Sequence, residues 1–175
     1  MKRVGEWIVV CVVLAMMLGC VRQGPQRPSQ RKGETPPVDS AALALLELNK
    51  QLAQAADRQL VQWVQASGEP YALYEANTWM WIIERGDTHA AAPKQGESWT
   101  VHMRTYDLTG QLFCDSEGTY VIGKQELPAA VDSNIGELYP GGKARLLAPW
   151  YQAYGLTGTD HIPPYENIMI EIELK

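Results

Sequence analysis

The sequence predicts an α+β domain of about five or six short strands around one short helix, with a long helix ahead of it. Three stretches lead to this reading. Apolar residues recur at every second position from Ala144 to Ala148 and from Ile168 to Leu174, the period of a strand with one face in a core. Ala41, Leu45, Leu48, Leu52, Ala56, Leu60 and Trp63 recur at helical spacing instead, an apolar stripe. Between these, residues 71–122 mix aromatic and β-branched residues with Gly and Pro, which suits short strands and turns.

Taken in order, the chain opens with Lys2 and Arg3 and then an apolar run from Ile8 to Leu18. That run is too short to cross a bilayer as a helix, which takes about 20 residues, and it fits the core of a signal peptide. It ends in Met17-Leu18-Gly19-Cys20. A small residue followed by Cys resembles a bacterial lipobox, which implies cleavage before Cys20 and acylation of that residue. The alternative is an ordinary signal peptide in which Cys20 is incidental. More than one acyl chain gives stable anchoring. Val21, not Asp, follows the Cys; by resemblance to lipoprotein sorting this implies an outer-membrane lipoprotein facing the periplasm. Residues 1–19 are then the signal peptide.

Residues 20–38 are rich in Gln, Arg, Gly, Pro and Ser and bury too little to fold, so they read as a tether. Arg22, Arg27, Arg31 and Lys32 make it basic. It either touches anionic headgroups beside the anchor or is simply solvated. The whole chain carries a formal net charge of −5, and the part beyond the tether is acidic, which argues against a nucleic-acid interface. Cys11 leaves with the signal and Cys20 would be acylated, so Cys114 stands alone and no intramolecular disulfide is available. A lone Cys beside Phe113 reads as a small hydrophobe or as a reactive thiol. His89, His102 and His161 show no ligand spacing, and no metal or other cofactor is indicated.

Asp39 or Ser40 caps a helix to about Ala66, with Gly68 as its stop, so residues 39–68 form the N-terminal helix. It would be roughly 40 Å long. Its stripe either docks on the following domain or joins two copies as a homodimerisation arm through residues 39–66. Residues 69–175 form the main domain. Within it, Tyr71 to Glu84 reads as strand, Arg85 to Gly96 as loop, Trp99 to Thr105 as strand and Asp107 to Gly110 as turn. Leu112-Phe113 and Gly118 to Ile122 read as two further extended pieces. Pro128 to about Leu138 is the short helix, since Pro suits a first turn. Lys143 to Ala148, stopped by Pro149, and Ile168 to Leu174 close the chain as strands.

The C-terminal stretch carries an ordered set of motifs: Gly141-Gly142-Lys143-Ala144, Pro149, Ala153-Tyr154-Gly155, Ile162-Pro163-Pro164 and Glu173-Leu174. Val121 to Leu127 and, more weakly, Val101 to Phe113 extend it. Together they resemble the FKBP-type peptidyl-prolyl isomerases over roughly Trp99 to Lys175. With the lipobox, the tether and the Leu- and Gln-rich helix, the chain also resembles the gliding-motility-associated lipoprotein branch. The resemblance implies an antiparallel five- to six-stranded sheet curved around the short helix. It implies catalysis of rotation about X–Pro bonds in exported polypeptides, reached through a lipid anchor, with no cofactor.

Rotation about a peptide bond meets a barrier of about 18–20 kcal/mol, and X–Pro is the bond with both isomers populated. An isomerase for it needs an apolar trough that strips water from the amide, and donors that hold the peptide carbonyls. By resemblance, Tyr154 donates its hydroxyl, Phe113 and Ile162 line the trough, and Leu127 sits at its rim. Ile170 replaces an aromatic on the last strand, Met103 the first pocket tyrosine, Cys114 an aspartate and Val131 the aromatic floor. Asp115 is a poor stand-in for that aspartate, because one step along a strand reverses the face. Pro128 occupies a position whose backbone N–H would bind the ligand, and proline has none. Three functions remain open: a slow prolyl isomerase, a non-catalytic chaperone or binding module on the same fold, and a structural envelope lipoprotein.

Overall fold

The computed structural model describes residues 40–175. The signal peptide, Cys20 and the tether lie outside the described residues. Helix α1 spans Ser40–Ser67, and Gly68 follows it with φ +70°, a left-handed stop that glycine adopts without Cβ strain. The strands are β1 (Ala72–Leu73), β2 (Trp79–Glu84), β3 (Ser98–Asp107), β4 (Leu112–Val121), β5 (Lys143–Ala148) and β6 (Ile168–Leu174). Helix α2 (Ala129–Asn134) lies between β4 and β5 and runs on into a 3₁₀ turn at Ile135–Glu137.

The six strands form one antiparallel sheet in the order β1-β2-β5-β6-β3-β4, which is the α+β architecture the sequence predicts. The two expected extended pieces, Leu112-Phe113 and 118–122, are one strand, β4. Its polar run from Asp115 to Glu117 hid the continuity: β4 is an edge strand, so polar side chains there need not be buried.

Period-two alternation feeds two separate cores. On one face Ile168, Ile170, Ile172 and Leu174 of β6 and Ala144, Leu146 and Ala148 of β5 pack against Ala130, Val131 and Ile135 of α2 and its 3₁₀ turn. On the other, Leu147 and Met169 meet Leu60 and Tyr71, rimmed by Trp63, Val64, Trp79 and Tyr106. Helix α1 therefore docks on the sheet face opposite α2. Only its C-terminal half does so. Ala56 and Leu60 are buried, whereas Leu45 and Leu48 of the same stripe are 58% and 51% exposed.

Polar ties fix the docked half. Tyr151 donates to Asp57 at 2.6 Å and Asn77 donates to both Asp57 and Tyr151 at 2.8 Å. Asn167 donates to Gln59 at 2.7 Å. Beyond the helix, Arg145 bridges Glu69 and Glu171 at 3.1 and 2.8 Å and lies over the Trp81 ring. Among the described residues no helix is long and apolar enough to cross a membrane.

Candidate functional site

Strand pairing places Met80, Leu146, Ile170, Thr105 and Cys114 in one row across β2, β5, β6, β3 and β4. Directly paired residues share a face, so this row lies on the α2 side. Thr105 pairs with Cys114 and Tyr106 with Leu112, which leaves Phe113 as an extra residue in β4. This is a β-bulge, a device that re-aims a side chain. Phe113 accordingly packs against the α2-side core, although its neighbour Cys114 occupies the row on that same face. The bulge was not legible in the sequence, because it exists only in the register of two strands.

Tyr154 arrives from the other side. Pro149 ends β5 and a 3₁₀ turn, Trp150–Gln152, follows. The Asn167 side chain accepts the Trp150 N–H at 3.0 Å, and Gly155 N–H closes back on the Trp150 carbonyl at 2.8 Å. These bonds aim Tyr154 at the core, where it is half-buried among the residues packed on the α2 side. Burial raises its pKa above the ordinary tyrosine value; a hydrogen bond with Thr105 opposes that rise, and Cys114 and Tyr120 add to it. The phenol therefore stays protonated and available as a donor through the neutral range.

The loop that follows is held by its own backbone. Thr159 N–H bonds the Ile162 carbonyl at 2.8 Å, Ile162 N–H bonds the Thr159 hydroxyl at 3.1 Å and Tyr165 N–H bonds the Gly155 carbonyl at 3.2 Å. Gly158 sits at φ +64° against the Ile162 carbonyl, where any Cβ would collide. Ile162 is thereby turned inward and buried.

The remaining expected residues divide by depth. Ile170 and Val131 have no exposed surface, and Met103 and Leu127 are buried in the same core. Phe113, Cys114, Pro128 and Tyr154 keep partial exposure. The chain thus brings a phenol, a phenyl ring and a free thiol together over an aliphatic layer of Ile170, Leu146 and Val131. Asp115 is on the opposite face, paired with Arg104, and its carboxylate lies 2.6 Å from His102 Nε2. Trp150 stacks edge-on against Tyr151 and Tyr165. Pro128 is the N-cap of α2, and its carbonyl accepts the N–H groups of Val131 and Asp132, both at 2.9 Å.

Two residues of the site are not among those to which the motifs of the sequence point. Thr105 is two positions beyond Met103, so strand alternation alone could have placed it on the same face. Asn167, which positions the turn before Tyr154, carried no such signal.

Sequence comparison matches residues 89–175 to the C-terminal domain of FKBP-type peptidyl-prolyl cis-trans isomerases. These residues are an FKBP-type domain. Solved structures agree on the fold. The chain is similar to FkpA from Escherichia coli, at 20% identity and a TM-score of 0.59, covering 77% of this chain and 63% of that one, a little under two thirds of its length. It is also similar to a peptidyl-prolyl cis-trans isomerase from Pseudomonas syringae pv. tomato, at 22% identity and a TM-score of 0.58, covering 70% and 92%. The N-terminal domain of FKBP42 from Arabidopsis thaliana matches at 21% identity and a TM-score of 0.53, covering 61% and 90%. The FKBP-type region contains β3, β4, α2, β5 and β6, and hence every residue placed above in the site except Met80 of β2.

Proposed function

We propose that this chain is a lipid-anchored peptidyl-prolyl cis-trans isomerase of low activity that assists the folding of exported proteins. The observation that carries the reading is the Tyr154 phenol, kept protonated by burial and packed, like half-exposed Phe113, on one aliphatic core within an FKBP-type domain. A prolyl peptide laid there would lose water around its amide, which favours the twisted, less polar state. Tyr154 would hold a carbonyl without giving up its proton. The low activity follows from Pro128, which cannot donate from the backbone, and from Val131, whose small side chain offers little area to a ligand.

The same two residues favour a second reading, a non-catalytic chaperone or binding module of the cell envelope. A protease-coupled assay of X–Pro isomerisation on the whole chain separates the two. Acceleration that falls in Tyr154→Phe supports the enzyme, and an uncatalysed rate with retained peptide binding supports the module.

The partners of this reading are proline-containing exported polypeptides and, through acylated Cys20, the outer membrane. Cys20→Ala is expected to abolish fatty-acid labelling and release the protein from membranes; unchanged labelling would refute the anchor. The exposed Leu43, Leu45, Leu46, Leu48 and Leu52 support a homodimer through the N-terminal half of α1, since large exposed apolar patches mark interaction surfaces.

A further inference from the structure

Tyr120 and Gly118 lie on the same side of β4 as Cys114, two positions apart along the strand and paired with Trp99 and Val101 of β3. An ordinary tyrosine in this position stands up from the sheet. Tyr120 instead lies back along its own strand. A Cβ placed on Gly118 would be 2.9 Å from the Tyr120 hydroxyl oxygen and 3.0 Å from its Cζ. Gly118 is not at a positive φ and makes no turn, so its lack of a side chain serves space rather than backbone freedom: it is the bed on which the phenol rests. The ring packs on the α2-side core and remains partly exposed. Its hydroxyl lies over Gly118, and it is within electrostatic reach of Tyr154. The trough thus has a second phenol on the wall formed by β4, at the end opposite the bulge that carries Phe113.

We propose that Tyr120, laid over Gly118, is a substrate-contacting residue of this trough and donates its hydroxyl to a carbonyl of the bound prolyl peptide. The proposal rests on the isomerase reading and deepens it. Pro128 leaves a peptide carbonyl without its backbone donor, and an unmet carbonyl in a dehydrated trough is costly. A partly exposed phenol within electrostatic reach of Tyr154 is a chemically suitable replacement. Gly118 is then a positioning residue, because any side chain there lifts the phenol off the sheet.

The test uses the full chain and a chromogenic X–Pro tetrapeptide, with isomerisation followed by protease coupling and peptide affinity by calorimetry. Circular dichroism confirms folding of each variant. Tyr120→Phe keeps the ring and removes the donor, so it should lower kcat/KM about twofold to tenfold, the size of one neutral hydrogen bond. Gly118→Ala should do the same. The double variant should lose no more than either single one, because both act through one hydroxyl. A merely structural role for Gly118 would give additive losses and a lower melting temperature instead. If Tyr120→Phe matches the wild type in rate and affinity while Tyr154→Phe is impaired, the proposal falls and the isomerase reading stands. If the wild type does not catalyse, that reading falls, and affinity decides the proposal. Weaker binding by Tyr120→Phe then sustains Tyr120 as a peptide contact. Equal binding, or none by the wild type, overturns it.

Discussion

Burial holds the Tyr154 phenol above its ordinary pKa against the opposing Thr105 hydrogen bond, so the donor survives into alkaline solution. The expected kcat/KM is therefore flat from neutral pH up to the ordinary tyrosine range, and the loss begins only above it. Tyr154→Phe should cost about twofold to tenfold in kcat/KM, one neutral hydrogen bond, with the fold unchanged by circular dichroism. Pro128 supplies the complementary experiment. Pro128→Ala restores an N–H at the N-cap of α2 without disturbing the carbonyl that accepts from Val131 and Asp132. It should raise kcat/KM by a factor of about two to ten and strengthen binding of a macrolide inhibitor of the family in a calorimetric titration. The wild type should bind that inhibitor far more weakly than nanomolar, because Val131 forfeits the contacts a large ring would make; nanomolar binding would show that the trough is built differently. At this scale short motifs pointed to Tyr154, Phe113 and Ile162, and the structure packs all three on the α2-side core. The Phe113 bulge was not legible, since it depends on which residue of a distant strand lies opposite.

Elements meet here through a few polar side chains as much as through apolar area. The α1 helix, the turn before β2 and the 3₁₀ turn ahead of Tyr154 converge on Asp57, Asn77 and Tyr151. Burial and the Asp57 carboxylate push the Tyr151 pKa up to about 12. A raised folded-state value means that this contribution to stability is complete below the unfolded tyrosine pKa, near 10.0, and is lost as pH rises toward about 12. Tyr151→Phe should lower stability at neutral pH by about 1–2 kcal/mol and flatten its fall at alkaline pH, both read from denaturant titrations. An unchanged alkaline slope would show that Tyr151 is not the group responsible. Asn134 plays a similar part for α2, exchanging two hydrogen bonds with the Glu75 backbone and donating to the Ala130 carbonyl. The limits of α1, β5 and β6 were readable within a residue or two, because long periodic runs with Gly or Pro stops leave few choices. β1, with two residues, was not: so short a strand has no periodicity, and only its pairing with Trp79 and Met80 defines it.

Across residues 40–175, one sheet serves two cores, and α1 reaches beyond the second of them. Leu45→Glu with Leu48→Glu should convert a dimer to a monomer in sedimentation equilibrium while leaving isomerisation of a short peptide unchanged, since neither residue touches the trough. A wild-type chain that is already monomeric would refute the arm. The sequence alone left docking and dimerisation as equal readings of α1. In the structure the C-terminal half of the helix docks on the sheet, and the apolar side chains of the N-terminal half stay exposed. β6 carries the strongest consequence of the two-core arrangement. Ile170 lies under Tyr154 and Phe113, while Met169 and Glu171 on either side of it face Leu60's core and Arg145. Drift in this strand is constrained from both directions at once: a backbone adjustment that accommodates a new floor residue also displaces the helix seat behind it. Change in the residues around Tyr154 is cheapest where only one face is committed, in the edge strand β4, in α2 and in the 154–165 loop. The departures this chain carries at Cys114, Pro128 and Val131 fall in the first two of those places, whereas its substitution on β6, Ile170, remains a fully buried aliphatic.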